Sequence, residues 1–279
     1  MSKTLNENVS RETMALPHPA KTRRLVVANQ KGGVGKTTTA VNLAAALAEG
    51  GQNVLVVDID PQGNASTALG VDHRQGIKGT YEVLISQASI TDLAVTSAEF
   101  DNLKVLPATI DLAAAEIELV PLVAREQRLL KAIRKFQEEN SVDWIIFDCP
   151  PSLSLLTVNA MVAATEVLIP IQTEYYALEG LTQLLRSVSM IREELNADLA
   201  IAGVLLTMFD ARTKLSAQVA EEIHRHFEKE TLKTIIARSV RMSEAPSFRQ
   251  TIISYDPKSV GAKAYRKVAM ELTMRQETK

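Results

Sequence analysis

The run Lys31-Gly32-Gly33-Val34-Gly35-Lys36-Thr37-Thr38 combines two lysines, three glycines and two hydroxyls in the order that grips phosphate. Glycines let successive backbone N–H groups turn inward toward phosphate oxygens. A helix starting just after the loop adds its free N-terminal donors and partial positive charge. In such a loop Lys36 reaches the β- and γ-phosphates, and the Thr37 hydroxyl ligates Mg²⁺. The usual pattern has glycine where this chain has Gln30, and it lacks the extra lysine, Lys31.

Carboxylates that would complete such a site occur twice. Asp58-Ile59-Asp60-Pro61-Gln62-Gly63-Asn64 ends one apolar run, and Trp144-Ile145-Ile146-Phe147-Asp148 ends another. In open α/β sheets ligands sit beyond the C-terminal strand ends, which places Asp58 and Asp60 near the terminal phosphate. Four apolar residues closed by Asp148 form a Walker B pattern, whose carboxylate orients the water shell of Mg²⁺.

The elements that must position these groups follow from periodicity. Short apolar runs at 25–29, 53–58, 103–106, 144–148, 167–171, 201–207 and, more weakly, 234–237 predict strands buried on both faces. Helical patterns at 37–49, 126–139, 178–195, 215–230 and 261–274 lie between or after them. Val260, Ala264, Val268 and Leu272 make an apolar stripe that packs the last helix on the sheet. Alternation of this kind predicts an α/β fold: a doubly wound, mostly parallel sheet flanked by helices, built of right-handed βαβ units. Residues 1–22 are polar, carry Pro17 and Pro19 and predict a flexible N-terminal tail; residues 23–279 predict a single P-loop ATPase domain.

Composition narrows the class. The chain has 279 residues, 46% hydrophobic and 23% charged, with one cysteine and a formal net charge of −2. No apolar run approaches the roughly 20 residues that span a bilayer, and the first twenty residues lack the apolar core of a signal peptide. Cys149 alone forms no intramolecular disulfide and no metal cluster, which points to the cytoplasm; it reads as a small buried residue. His18, His73, His224 and His226 show no ligand spacing and read as surface groups. Residues 233–267 hold eight Lys/Arg against Glu244 and Asp256, so a basic C-terminal third stands in a near-neutral chain.

KGGVGKTT, DIDPQGN and FDCPPS, in this order, resemble the deviant Walker A ATPases of the ParA/MinD group. Residues 107–112 (PATIDL), 174–180 (EYYALEG), 240–247 (VRMSEAPS) and 256–259 (DPKS) resemble the ParA/Soj branch more specifically. The likeness spans about residues 23–275. It implies ATP and Mg²⁺ as cofactors and an ATP-dependent homodimer. Lys36 would bind phosphate in its own subunit, together with the loop from Lys31 to Thr38, and Lys31 would reach the partner's nucleotide. Thr37, Asp58 and Asp148 would serve the metal, Thr38 the α-phosphate, and Asp60 the attacking water. Adenine would rest near Met208 and the 237–239 stretch, with Arg238; many relatives have proline where this chain has Ala237. Arg212, Lys214, Arg241, Arg249 and Lys258 would contact double-stranded DNA without sequence preference, by counterion release. Hydrolysis would be slow and stimulated by a centromere-binding partner of the ParB/Spo0J class, with the protein cycling on the nucleoid.

Competing readings differ in what they need. A MinD-like membrane-cycling ATPase needs a C-terminal amphipathic helix, and residues 271–279 lack its bulky apolar face. A nitrogenase-type iron protein needs more than one cysteine per chain. A larger plasmid partition ATPase needs an N-terminal helix-turn-helix, for which 22 residues do not suffice. Tyr175 and Tyr176 suit a dimer interface and ordinary aromatic packing equally.

Overall fold

The computed structural model describes residues 15–275. Along the chain run β1 (Arg23–Val27), α1 (Lys36–Glu49), β2 (Val54–Asp58), α2 (Asn64–Ala68), α3 (Thr80–Ser86), α4 (Ile90–Leu93), β3 (Val95–Thr96), β4 (Leu103–Leu106) and α5 (Leu112–Glu118). They continue as α6 (Arg128–Glu139), β5 (Trp144–Asp148), α7 (Leu155–Ala163), β6 (Glu166–Gln172), α8 (Ala177–Glu194), β7 (Ala200–Thr207), α9 (Lys214–His226), α10 (Val240–Glu244), α11 (Ile252–Tyr255) and α12 (Val260–Met274).

The strands form one 7-stranded sheet in the order β3-β4-β2-β5-β1-β6-β7, and only the β3–β4 pair is antiparallel. β2 and β5 are buried along their whole length, as strands covered on both faces must be. One face is covered by α1 and α12, whose alanines and leucines pack on Val27, Val56 and Ile146. The other is covered by α6 to α9 over Val26, Val57, Phe147 and Ile169. The doubly wound architecture expected from the alternation is therefore present.

Several local expectations need correction. Residues 234–237 form no strand. Thr231 and Ala237 make isolated parallel bridges to Val204 and Phe209. Between them the N–H groups of Lys233 and Thr234 donate to the Glu271 carboxylate at 2.7 and 3.1 Å, so they are lost to a ladder. The helix expected to reach residue 230 ends at His226. Val260 is exposed, whereas Ala264, Val268 and Leu272 of the proposed stripe are buried.

The expected tail departs from its reading where it is described. Leu16 is buried on Gly50, whose missing Cβ leaves the room: a Cβ there would stand 2.6 Å from Leu16 Cδ1. The Leu16 N–H donates to the Gly50 carbonyl at 2.9 Å, and Gln52 Nε2 donates to the Leu16 carbonyl at 2.9 Å. The rest of the tail reading, residues 1–14, lies outside the described residues.

At the N-terminal edge of the sheet Arg23 is buried with Glu166. Its Nε and Nη2 donate to the two carboxylate oxygens at 2.7 and 2.5 Å, and its guanidinium lies 4.3 Å from the centre of the fully buried Trp144 ring. A third donor of Arg23 binds the Leu272 carbonyl, tying α12 to β1. Such a pair adds little net stability, but breaking it strands a charge in a dry site. Arg23→Ala should therefore lower unfolding stability by about 3–5 kcal/mol, whereas replacing Arg23 and Glu166 together by Met and Leu should cost less. Urea unfolding of the two variants against the parent checks the order.

Candidate functional site

β1 ends at the sheet's switch point: its neighbours are β5 on one side and β6 on the other. Loops leaving β1, β2 and β5 therefore meet above one crevice. The loop after β1 turns through Gly33 and Gly35 at φ of +76° and +86°, backbone that side chains with a Cβ resist. Gly35 is the N-terminal cap of α1, so Lys36 to Thr38 open that helix with their N–H groups toward the crevice.

Three side chains hold the loop, and the sequence reading assigned none of them this role. The buried Asn29 donates to the Pro170 carbonyl at 2.8 Å and accepts from the Lys31 N–H at 2.9 Å. Thr207, at the end of β7, donates to the Val34 carbonyl at 2.8 Å. Gln30, the residue in place of the usual glycine, reaches Ser187 on α8 at 3.3 Å. Lys36 is buried and donates to the Lys31 carbonyl at 3.0 Å. Burial lowers its pKa, and the negative charge of Asp148 and Asp60 opposes that.

The carboxylates converge because the strands are in register. Asp58 of β2 pairs directly with Asp148 of β5, and Asp148 is level with Val27 of β1. Both carboxylates are fully buried. Burial pushes Asp58 up to about 7, held back by the Ser66 side chain and N–H, both on one oxygen at 2.7 and 2.8 Å. Its other oxygen accepts from the Asp60 N–H at 3.2 Å. Burial, then the charge of Asp58, raises Asp148 well above the ordinary carboxylate range. The nearby Thr37 hydroxyl pulls it partly back, yet neither Asp148 oxygen finds an aligned partner among the described residues. Asp60 is buried and accepts from the Gln62 N–H at 2.9 Å.

Sequence reasoning missed Ser66 and also His73, which it left on the surface. His73 is half-buried, hydrogen-bonded through Nε2 to Thr67 Oγ1 at 2.7 Å, and lies against Gly63 three residues after Asp60. The fully buried Cys149 follows Asp148, and burial pushes its thiol up.

Lys31 points elsewhere than Lys36. Its Nζ lies 2.5 Å from Glu174 Oε2, with about half of each side chain exposed. Tyr175 and Tyr176 follow Glu174 as an exposed edge-to-face pair at 5.1 Å, and Leu153 beyond β5 is exposed as well.

Beside the loop opens a mainly apolar pocket of about 270 Å³, lined by Gly35, Thr38, Met208, Ile236, Arg238 and Met242 among others. Met208 stands at φ +51°, turning the chain out of β7. The Phe209 and Arg238 segments then pair through Phe209 N–H to Ile236 O at 3.0 Å and Arg238 N–H to Phe209 O at 3.0 Å. This brings the 210–214 turn beside the 238–241 segment. On that turn Arg212 is bound to Asp210 at 2.7 and 2.9 Å, which holds the Asp210 carboxyl down at about 2, and Lys214 is exposed at the start of α9. Arg241, Arg249 and Lys258 are exposed on the segments that follow. The structure thus gathers Lys36, Thr37, Asp58, Asp60 and Asp148 at one crevice, sets Met208 and Arg238 on one pocket wall, and leaves the five basic candidates outside both.

A sequence-family profile described as an AAA domain matches residues 22–201. The sporulation initiation inhibitor protein Soj of Bacillus subtilis is 52% identical over 248 residues, 89% of this chain and 97% of that protein. The chromosome partitioning protein ParA of Caulobacter vibrioides is 48% identical over 254 residues, 91% of this chain and 95% of that protein. Among solved structures, cobyrinic acid a,c-diamide synthase from Mycobacterium smegmatis, with bound ADP and magnesium, is similar at a TM-score of 0.77 and 39% identity, covering 89% of this chain and 93% of that one. The sequence likeness to Soj and ParA exceeds the likeness to the synthase and covers about nine-tenths of the chain. On these grounds the chain belongs to the ParA/Soj family of chromosome-partitioning ATPases.

Proposed function

We propose that this partitioning ATPase works as an ATP-dependent homodimer that holds double-stranded DNA without sequence preference and lets go after hydrolysis. The observation that carries the nucleotide and metal part of the reading is the pairing of Asp58 with Asp148 in adjacent strands, level with the end of β1 from which the Lys36 loop departs. Two buried carboxylates, one with both oxygens lacking an aligned partner among the described residues, suit a divalent cation. Mg²⁺ bound there with ATP supplies charge neutralisation on the phosphates.

This chain's own residues supply the rest. The N–H groups from Gly32 to Thr38 and the Lys36 ammonium hold the phosphates, Thr37 and Asp148 face the metal, and Asp58 backs them while Ser66 fixes its orientation. Asp60 orients the attacking water. The Met208 and Arg238 pocket takes the adenine, where one apolar slot with few polar groups is the usual arrangement. Lys31 leaves Glu174 to reach the partner's phosphates across a face that includes Leu153, Tyr175 and Tyr176. Exposed aromatic and aliphatic side chains around the crevice support pairing there. Arg212, Lys214, Arg241, Arg249 and Lys258 neutralise DNA phosphates, and pairing two subunits doubles their number. A centromere-binding protein of the ParB/Spo0J type stimulates turnover, and the site of action is the nucleoid in the cytoplasm. A single ATPase domain begins at residue 23 in this reading, with Leu16 of the preceding segment packed on it. Among the described residues no helix is long and apolar enough to cross a membrane.

Two substitutions separate binding from chemistry. Lys36→Ala should abolish ATP binding in calorimetry; retained affinity removes its phosphate role. Asp60→Ala should bind ATP and dimerise by light scattering while phosphate release stops, and normal turnover sinks its water-orienting role.

DNA titration tests the remainder. Binding should require ATP rather than ADP and weaken steeply with salt. Arg241→Ala should flatten the slope of log affinity against log salt by about 2, one phosphate per subunit of the pair. An unchanged slope places Arg241 off the DNA.

A further inference from the structure

Beside the basic residues lies an exposed aromatic stack that counterion release does not explain. Phe248 is 62% exposed, so most of a large apolar ring stands in water beside these basic residues. Its ring stacks on Tyr255 with centroids 5.1 Å apart and planes 23° from parallel. The Arg241 guanidinium lies 5.9 Å from the centre of the same Tyr255 ring. Glu244 and Asp256 flank Arg241 at 4.0 and 3.9 Å, so its charge is partly offset locally.

The loop holds Phe248 outward. Arg249, the next residue, sits at φ +54°, and its N–H donates to the Pro246 carbonyl at 2.9 Å, closing the short helical turn 245–248. Thr251 is pinned from the other side, its N–H and hydroxyl each 2.6 Å from a Glu99 oxygen. The ring is presented by a rigid frame, at little cost in ordering on contact.

We propose that Phe248, backed by Tyr255, is an apolar DNA anchor that packs on the sugar edge of the duplex while Arg241 and Arg249 on either side take the phosphates. The proposal rests on the DNA-binding reading and adds to it a component that salt does not screen. Aromatic rings beside arginines are a recurring means of gripping nucleic acid without reading sequence. A lipid surface is the weaker match, because membrane-seated segments present a row of bulky apolar residues along one helix face and this patch presents one ring on a turn.

The test uses the full chain with ATP and Mg²⁺ on a mixed-sequence duplex, by fluorescence anisotropy across a salt series. Phe248→Ala should weaken binding about tenfold at every salt concentration, the scale expected when a large apolar ring loses its burial. The salt slope should stay at its parental value, the opposite of the Arg241→Ala signature. Phe248→Trp should restore affinity, and nucleotide binding and self-association should be unchanged. Parental affinity in Phe248→Ala, a changed slope, or weakened self-association overturns the anchor while leaving the DNA reading in place. Loss of binding to phosphatidylglycerol vesicles with DNA affinity intact assigns the ring to lipid and overturns it too. If the parent protein fails to bind DNA with ATP, both readings fall together.

Discussion

Two carboxylates sealed from water at the same level of adjacent strands, Asp58 and Asp148, are the constraint around which this end of the molecule is arranged. Each buried charge costs several kcal/mol even after relaxation, and the two oppose one another. Ser66 offsets the cost for Asp58, with two donors on one oxygen. Among the described residues the Thr37 hydroxyl and the Lys36 charge offset the cost for Asp148 only in part, so its environment favours either a proton or a cation. The buried Lys36 ammonium and the N-terminus of α1 are the nearest positive groups, and both arrive by way of the loop after β1. Strand order decides this: β5 lies between β2 and β1, so Asp148 stands between the second carboxylate and the loop.

The site was legible because its parts are local. Glycine spacing, two lysines and strand-terminal aspartates each declare themselves within a few residues, and the sheet only has to bring three chain segments to one edge. What could not be read was everything that depends on distant partners. Ser66 follows Asp58 by eight residues, but its role appears only when α2 folds back over β2. Asn29 and Thr207 resemble ordinary strand-end polar residues until the Pro170 and Val34 carbonyls are found beside them. His73, read as a surface group, lies against the Gly63 turn.

The fold was legible on the same terms, and failed on them too. Strands buried on both faces show as apolar runs, and all of those from 25 to 207 are present. The run 234–237 has the same composition, but a carboxylate 37 residues further on competes for its backbone donors. Propensity is blind to that competition. The short helices α2 to α5 and α7 carry little periodic signal over so few turns, and tertiary packing rather than pattern holds them.

The apolar pocket and the basic surface meet at α10. On α10 Met242 is buried and lines the pocket beside Met208, whereas its neighbour Arg241 faces solvent on the Tyr255 ring. A helix turns about 100° per residue, so successive side chains necessarily point to different surroundings. Gly261 of α12 accepts the Met242 side chain so closely that a Cβ would stand 2.8 Å from its sulfur. Met242 therefore has little freedom to move without moving α10. Met242 is the one buried residue of α10, so the pocket side and the solvent side of that helix are carried by adjacent residues. Under the proposed reading, nucleotide and DNA act on opposite sides of the same five-residue helix.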